Sequence, residues 1–139
     1  MKAEIANERL AYALLRIFVG LNMMMHGLSR MIAGLSEFAS KLQLQFAHSP
    51  LPPKGVLLFG TVLPVAEMLL GLFLLIGFKT RAALIGGSIW LLILTFGSAL
   101  IQDWQAAGTQ LVYALAYAAL LFLLRFNALS IDTLGRSSV

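Results

Sequence analysis

Four long apolar runs take up most of the chain and limit what it can fold into. They extend over about residues 10–33, 55–78, 82–101 and 109–126. Each run is close to the roughly 20 residues that a helix needs to cross the hydrocarbon core of a bilayer. Segments in lipid must satisfy their own backbone groups, and the alternation of barrel strands is missing here. The sequence therefore predicts an all-α integral membrane protein with four transmembrane helices.

The composition agrees with this interpretation and leaves no room for a separate soluble domain. Hydrophobic residues make up 60% of the chain and charged residues 12%, with a mean hydropathy of +0.89. Soluble domains carry about 45–50% apolar and about 25% charged residues. We therefore expect one membrane domain over residues 1–139. The first apolar run exceeds the roughly 7–15 residues of a signal-peptide core, so we expect it to be retained as a span.

The positive charge lies mainly at the segment ends, where Lys and Arg face anionic lipid headgroups. The net charge is +4 and the isoelectric point about 9.9, yet no dense basic run is present. We therefore expect the lipid bilayer as a partner, and no nucleic acid. The chain contains no cysteine. This excludes thiolate-bound cofactors, cysteine-linked haem and disulfides, so redox chemistry would need a bound cofactor, a quinone or a partner subunit.

The distribution of basic residues predicts the topology. With both termini on one side of the membrane, that side holds Lys2, Arg9, Lys79, Arg81, Arg125 and Arg136. The opposite side holds Arg30, Lys41 and Lys54. The positive-inside rule then puts both termini in the cytoplasm. A long loop over residues 34–54 and a shorter one over residues 102–108 would face outward, and residues 77–81 would form a cytoplasmic turn.

Span one carries polar residues in a helical pattern. Asn22, His26 and Arg30 are spaced i, i+4 and i+8, which puts them on one stripe, with Arg16 on its flank. The methionines at 23–25 point in different directions, because consecutive residues differ by about 100° around a helix. We interpret them as gap-filling residues and predict no metal site.

Span two carries a stripe of Gly60, Pro64, Glu67 and Gly71. Small residues at such spacing let a neighbouring helix approach closely, and Glu67 would point at that neighbour. A charge left alone in a membrane span is costly, so we predict a buried ion pair between Arg16 and Glu67. Such a pair could fix helix packing or take part in proton- or electron-coupled chemistry beside a ligand.

Spans three and four are also one-sided. The polar stripe of span three contains Ser88, Thr95, Ser98 and Gln102. The polar stripe of span four contains Gln110, Tyr113 and Tyr117. The simplest assembly is an antiparallel four-helix bundle with the stripes inward. Its outer half would hold a polar pocket whose candidate ligand contacts are Asn22, His26, Arg30, Gln102, Gln110 and Tyr113. His26 is either bonded to a nearby oxygen or is a quinone carbonyl donor or proton relay. The pattern assigns no catalytic residue.

Three segments carry a resemblance to a known family. They are "LLRIFVGLNMMMHGLSRM", "EMLLGLFLLIGFKTRAA" and "LSIDTLG". Their order resembles the DoxX family of small four-helix bacterial membrane proteins, which groups with the DoxD subunit of thiosulfate:quinone oxidoreductase. The matching residues are Arg16, His26–Gly27, Glu67, Gly77, Thr80–Arg81 and Ser130–Asp132. Arg30 stands where the family often has lysine.

The resemblance implies a multi-pass protein of the bacterial inner (cytoplasmic) membrane. Our leading hypothesis is an integral membrane subunit associated with quinone-linked electron transfer, which resembles a thiosulfate:quinone oxidoreductase component and would act as a quinone-dependent oxidoreductase subunit. A quinone would enter from the lipid between helices. The second hypothesis is a non-catalytic structural or accessory subunit of a larger respiratory or photosynthetic membrane complex. The third hypothesis is a small transporter. We expect a homo-oligomer or an assembly with other membrane subunits.

Overall fold

The chain is built from helices throughout the part that the structure describes. The structure is a computed structural model that describes residues 2–134, with side chains from residue 7 onward, and this part contains no strand. The helices are α1 (Lys2–Ala33), α2 (Leu35–Gln45), α3 (Pro53–Ile76), α4 (Thr80–Leu100), α5 (Trp104–Phe122) and α6 (Ile131–Leu134), with a 3-10 turn at Leu124–Phe126 before α6. Arg136 and the side chain of Lys2, which enter the topology count, lie outside the described part.

Four of these helices are long and apolar enough to cross a membrane. They are α1 over Asn7–Ala33, α3, α4 and α5. Along the bundle, α1 packs extensively on α3 and α4 packs extensively on α5, whereas the contacts of α3 with α4 and of α5 with α1 are smaller. The predicted all-α membrane architecture with four spanning helices is confirmed.

Glycines bring α1 and α3 into backbone contact. A Cβ atom built on Gly71 would collide with the backbone of Met24 and Gly20, and one built on Gly27 would collide with the backbone of Pro64 and Met68. Small residues at a helix interface allow this close approach in lipid, where packing drives helix association. The stripe predicted on span two is accordingly buried along its whole length.

The long loop predicted over residues 34–54 is wrong in its first half, because α2 occupies it. Gly34 ends α1 at φ 108°, a conformation that residues with a Cβ rarely adopt, and α2 starts at the next residue. Ala39 of α2 is buried against Gly60 of α3, which explains why this short helix is held on the bundle. Its 11 residues are too few to cross a bilayer.

The second predicted outer loop, over residues 102–108, is also shorter than expected. Asp103 is the N-cap of α5, and its carboxylate accepts a hydrogen bond from the backbone N–H of Ala106 at 3.0 Å. Aspartate is among the preferred N-cap residues because its side chain satisfies a free N–H of the first turn. The helix therefore begins at Trp104, and residues 101–103 form the connection from α4.

Candidate functional site

A cavity of about 390 Å³ lies between α1, α3, α4 and α5. Its apolar wall includes Val19, Leu91 and Leu94. Its polar lining consists of Asn22, His26, Arg30, Glu67, Asp103, Gln105, Thr109, Gln110, Tyr113 and Tyr117. Asp103, Gln105 and Thr109 are exposed, so the cavity opens at the end of the bundle where α5 begins. Ligand sites in proteins commonly have volumes of about 300–1,000 Å³ and combine apolar walls with a few polar groups.

An ion pair between α1 and α3 lies at the polar end of the cavity. Arg30 donates a hydrogen bond from Nη1 to Oε2 of Glu67. Glu67 is buried, with 7% of its side chain exposed, whereas the Arg30 side chain is 29% exposed. The Arg30 guanidinium also lies over the ring of Phe38 in α2, 5.0 Å from the ring centre. The partner of the Glu67 carboxylate is thus Arg30, which belongs to the polar stripe that the sequence predicts on α1.

The predicted pair between Arg16 and Glu67 is therefore wrong. Gly20 faces Gly71 and Leu75 on α3, and this antiparallel register puts Arg16 beside the carboxyl end of α3. Glu67 lies level with His26, which is about 15 Å farther along α1 at the rise of an α-helix. Arg16 and Glu67 therefore lie on facing sides of α1 and α3 but at different heights along the bundle axis.

Five of the six predicted ligand contacts line the cavity together: Asn22, His26, Arg30, Gln110 and Tyr113. Gln102 does not line it, because it is exposed in the α4–α5 connection with a φ of 58°. Sequence reasoning had put Tyr117 on the right stripe but had not counted it as a contact. Asp103, Gln105 and Thr109 also line the cavity. The sequence puts them at the same outer end as the predicted pocket but does not single them out as ligand contacts.

The methionine run wraps around α1 as predicted. The Sδ of Met23 accepts a hydrogen bond from the Tyr117 hydroxyl at 2.5 Å and lines the cavity. Met24 packs against Gly71, and Met25 is exposed. Within the described residues there is no cluster of three or more His, Cys, Asp or Glu side chains that could hold a metal ion.

Gln110 offers both kinds of hydrogen-bonding group at the cavity. Its Nε2 donates to Oγ of Ser98 at 3.0 Å, which ties α5 to α4. Its Oε1 is buried and has no hydrogen-bond partner among the described residues. Buried polar atoms normally have a partner, so this oxygen is available to accept from a ligand hydroxyl.

A second polar cluster lies at the opposite end of the bundle and joins the C-terminal segment to the helices. The fully buried Arg16 donates from Nη1 to the carbonyls of Leu74 at 2.5 Å and Leu75 at 3.1 Å, and from Nη2 to the carbonyl of Leu129 at 2.9 Å. The last carbonyls of a helix lack partners within the helix, and an arginine at that end also suits the helix dipole. Arg16 therefore caps α3 and holds the segment before α6.

The remaining contacts of this cluster join Ser130 and Asp132 to the α3–α4 turn. The Asp132 carboxylate accepts hydrogen bonds from the backbone N–H groups of Lys79 at 2.7 Å and Thr80 at 2.8 Å. Gly77 adopts φ 68°, and a Cβ there would collide with Ser130 and approach Arg16. Partial burial opposes ionisation of Asp132, but the hydrogen bonds from Thr80 and Lys79 outweigh it and lower the pKa of this carboxyl.

The residues that carried the family resemblance thus divide between two places. Arg16, Gly77, Thr80, Ser130 and Asp132 meet in the cluster at the end of the bundle, which has a structural role. His26 and Glu67 lie at the cavity. The matching motifs therefore describe both the scaffold and one wall of the site.

Comparison with curated proteins and with solved structures finds no match to this chain. The sequence model of one family, DoxX, matches residues 11–101. The match covers well over half of the 139 residues, from α1 to the end of α4, and includes Arg16, His26 and Glu67. The wall that α5 contributes to the cavity lies beyond it. Because this match covers most of the chain, the chain belongs to the DoxX family.

Proposed function

We propose that this protein binds a quinone in the cavity, as a membrane subunit associated with quinone-linked electron transfer. The observation that carries the proposal is the cavity itself, which combines apolar walls with a concentration of polar side chains inside a transmembrane bundle. A quinone has the same combination, namely an apolar ring with two carbonyl oxygens. Polar and ionisable residues within membrane spans commonly mark substrate or proton pathways.

The polar side chains of the cavity suit both forms of such a ligand. The imidazole of His26 and the hydroxyl of Tyr113 are donors for carbonyl oxygens, and Gln110 Oε1 is an acceptor for the hydroxyl groups of a quinol. Leu91 and Leu94 would contact the ring. Reduction of a quinone consumes two electrons and two protons, and His26, Glu67 and Asp103 are ionisable groups at the cavity that could exchange protons.

The resemblance to a thiosulfate:quinone oxidoreductase component suggests a source for the electrons. Two thiosulfate anions join to form tetrathionate and release two electrons, which balances the reduction of one quinone to a quinol. We assign the binding of the quinone to this chain, and the delivery of electrons to a partner subunit.

The first experiment measures quinone binding by the purified full-length protein in lipid nanodiscs, using isothermal titration calorimetry. The probe is 2,3-dimethoxy-5-methyl-1,4-benzoquinone, which has no tail. We expect saturable binding that is lost in Ala106→Phe, because Ala106 lines the cavity and a ring there would fill it. The matched control is Ala118→Phe on the exposed face of the same helix. Ala118→Phe should bind as the unmodified protein does.

A lack of saturable binding, or equal binding by both variants, would overturn the proposal. The accessory-subunit hypothesis would then replace it, and comigration with larger membrane subunits on native gels would test that hypothesis. A positive binding result leads to a second measurement, the reduction of the quinone by thiosulfate in native membranes that contain or lack this chain. Reduction that depends on the chain supports its place in electron transfer.

We further propose that the protein lies in the bacterial inner membrane with both termini in the cytoplasm. The cavity mouth at Asp103 and Gln105 would then face outward. The chain has no cysteine, so single cysteines can be introduced without a background signal. A membrane-impermeant thiol reagent applied to intact cells should label Gln45→Cys, at an exposed position of α2, and spare Arg81→Cys, at an exposed position in the first turn of α4. The reverse pattern would overturn the orientation.

A further inference from the structure

The outer surface of α1 carries a groove of about 490 Å³ beside the cavity. Its lining consists of Phe18, Leu21, Asn22, Met25, His26 and Ser29. Three of these residues are large, apolar and exposed: Phe18 by 68%, Leu21 by 43% and Met25 by 47%. They are spaced i, i+3 and i+7, so they form one stripe about 10 Å long on the helix.

The groove is continuous with the cavity through two shared side chains. Asn22 and His26 line both of them. These two polar residues are exposed although they lie in the middle of a span, a position where polar groups are costly when they face lipid alone. They lie between the groove and the cavity, and residues of α5 also line that cavity. A ligand whose polar head lies in the cavity would therefore leave the bundle past Asn22 and His26.

We propose that this groove is a tail subsite, in which the isoprenoid tail of a lipid-soluble quinone lies along Phe18, Leu21 and Met25 while its head occupies the cavity. This inference rests on the proposed function, because the ring bound in the cavity anchors the tail. Asn22 and His26 form the edge over which the ligand passes. The subsite makes the α1–α5 side of the bundle the route of entry from the bilayer.

A photoreactive probe tests where the tail lies. The probe is a benzoquinone with a decyl tail that ends in a diazirine, applied to the full-length protein in nanodiscs. Mass spectrometry should find the label within residues 18–25, and an excess of decyl quinone without the diazirine should remove it. Label concentrated on other lipid-facing positions, such as Leu92 of α4 and Leu115 of α5, would overturn the subsite. Label in the groove that excess quinone does not displace would show ordinary acyl-chain contact and would also overturn it.

A binding comparison separates failure of the subsite from failure of the proposed function. Because lipid is as apolar as the groove, only packing contacts favour the tail there, and we expect about fivefold tighter binding of decyl quinone than of the tail-less quinone, corrected for partition. Leu21→Trp should reduce this ratio to near one and leave tail-less binding unchanged. Leu92→Trp, on an exposed face of α4, is the matched control and should keep the ratio.

The possible outcomes lead to different conclusions. A tail-less quinone that does not bind the unmodified protein overturns the proposed function and the subsite together. Normal tail-less binding with an unchanged ratio in Leu21→Trp overturns the subsite alone. If Leu21→Trp does not fold, Met25→Trp makes the same test from the other end of the stripe.

Discussion

Arg30 and Glu67 form an ion pair that joins α1 to α3 at the polar end of the cavity. Glu67 is almost fully buried, so its charge depends on this partner. The pair holds the two helices in register at the point where α2 also meets them, through the ring of Phe38. The same contact that closes one wall of the cavity therefore also stabilises the bundle.

Removal of one partner should destabilise the protein more than removal of both. Arg30→Met leaves a buried carboxylate without its partner, and we expect a loss of about 3 kcal/mol, the lower part of the range for broken buried pairs, because Arg30 is partly exposed. The double variant Arg30→Met/Glu67→Leu should recover most of this loss. Unfolding of the detergent-solubilised protein by a denaturing detergent measures these differences.

The surface pair of α2 provides the control for this cycle. Glu37 and Lys41 form an exposed i, i+4 pair at 2.7 Å. Its single and double variants should change stability little, because solvent screens exposed ion pairs. If Arg30→Met were no more damaging than Lys41→Met, the importance of the buried pair would be refuted.

Arg16 should not be replaceable by lysine. Its guanidinium bonds carbonyls of both α3 and the segment before α6, a geometry that a compact ammonium group cannot reproduce. We expect Arg16→Lys to cost about 2 kcal/mol, since hydrogen bonds to charged groups contribute roughly 1.5–3 kcal/mol. Arg81→Lys, an identical change at an exposed position, should be nearly neutral. Equal melting temperatures for the two variants would contradict the capping role of Arg16.

Much of the fold follows from the periodicity of the sequence, but the pairing of charges does not. Apolar runs fix the four spans, and helical spacing gives the face on which Asn22, His26, Glu67 and Gly71 lie. Periodicity gives direction around a helix axis but says nothing about how far one helix slides along another. That axial register, set by glycine contacts, separates Arg16 from Glu67 and brings Arg30 to it instead.

The two segments predicted as loops are partly helical, for different reasons. The segment from 35 to 45 is short and of mixed polarity, so no apolar run marks it, and its stability comes from the contact of Ala39 with Gly60. At the start of α5, the N-cap residue Asp103 was a usable signal that the polar composition of "QDWQAAG" concealed. Five cavity contacts were predictable because each lies on the inward stripe of a regular helix.

The backbone contact of α1 and α3 makes Gly71 sensitive to the smallest side chain. Gly71→Ala would force a Cβ into the backbone of Met24, so we expect a large loss of stability or failure to fold. Gly108→Ala is the control, because a Cβ there meets nothing within 4 Å. It should be neutral or stabilising by up to about 1 kcal/mol, since alanine favours helix over glycine. Similar expression and melting of both variants would refute the close-packed interface.

The contribution of Asp132 to stability should depend on pH. Its hydrogen bonds to Thr80 and Lys79 lower the pKa of the carboxyl below its ordinary value of about 3.9. The stabilisation is therefore complete above about pH 4 and is lost as the pH falls through the folded-state pKa. The difference in melting temperature between the unmodified protein and Asp132→Asn should shrink between pH 6 and pH 3. A difference that stays constant over this range would show that ionisation of Asp132 does not matter.

The Tyr113 hydroxyl should contribute to ligand binding without contributing to the fold. The Tyr113 side chain lines the cavity, and its hydroxyl makes no hydrogen bond within the described residues, so Tyr113→Phe removes a donor without breaking a contact there. We expect about two- to tenfold weaker binding of the tail-less quinone, the effect of losing one neutral hydrogen bond. Tyr12→Phe is the matched control, because Tyr12 is buried and does not line the cavity. Calorimetry should show weaker binding only for Tyr113→Phe, with both variants melting close to the unmodified protein. Unchanged affinity in Tyr113→Phe would remove this hydroxyl from the proposed contacts and direct attention to His26 and Gln110 as the groups that orient the quinone ring.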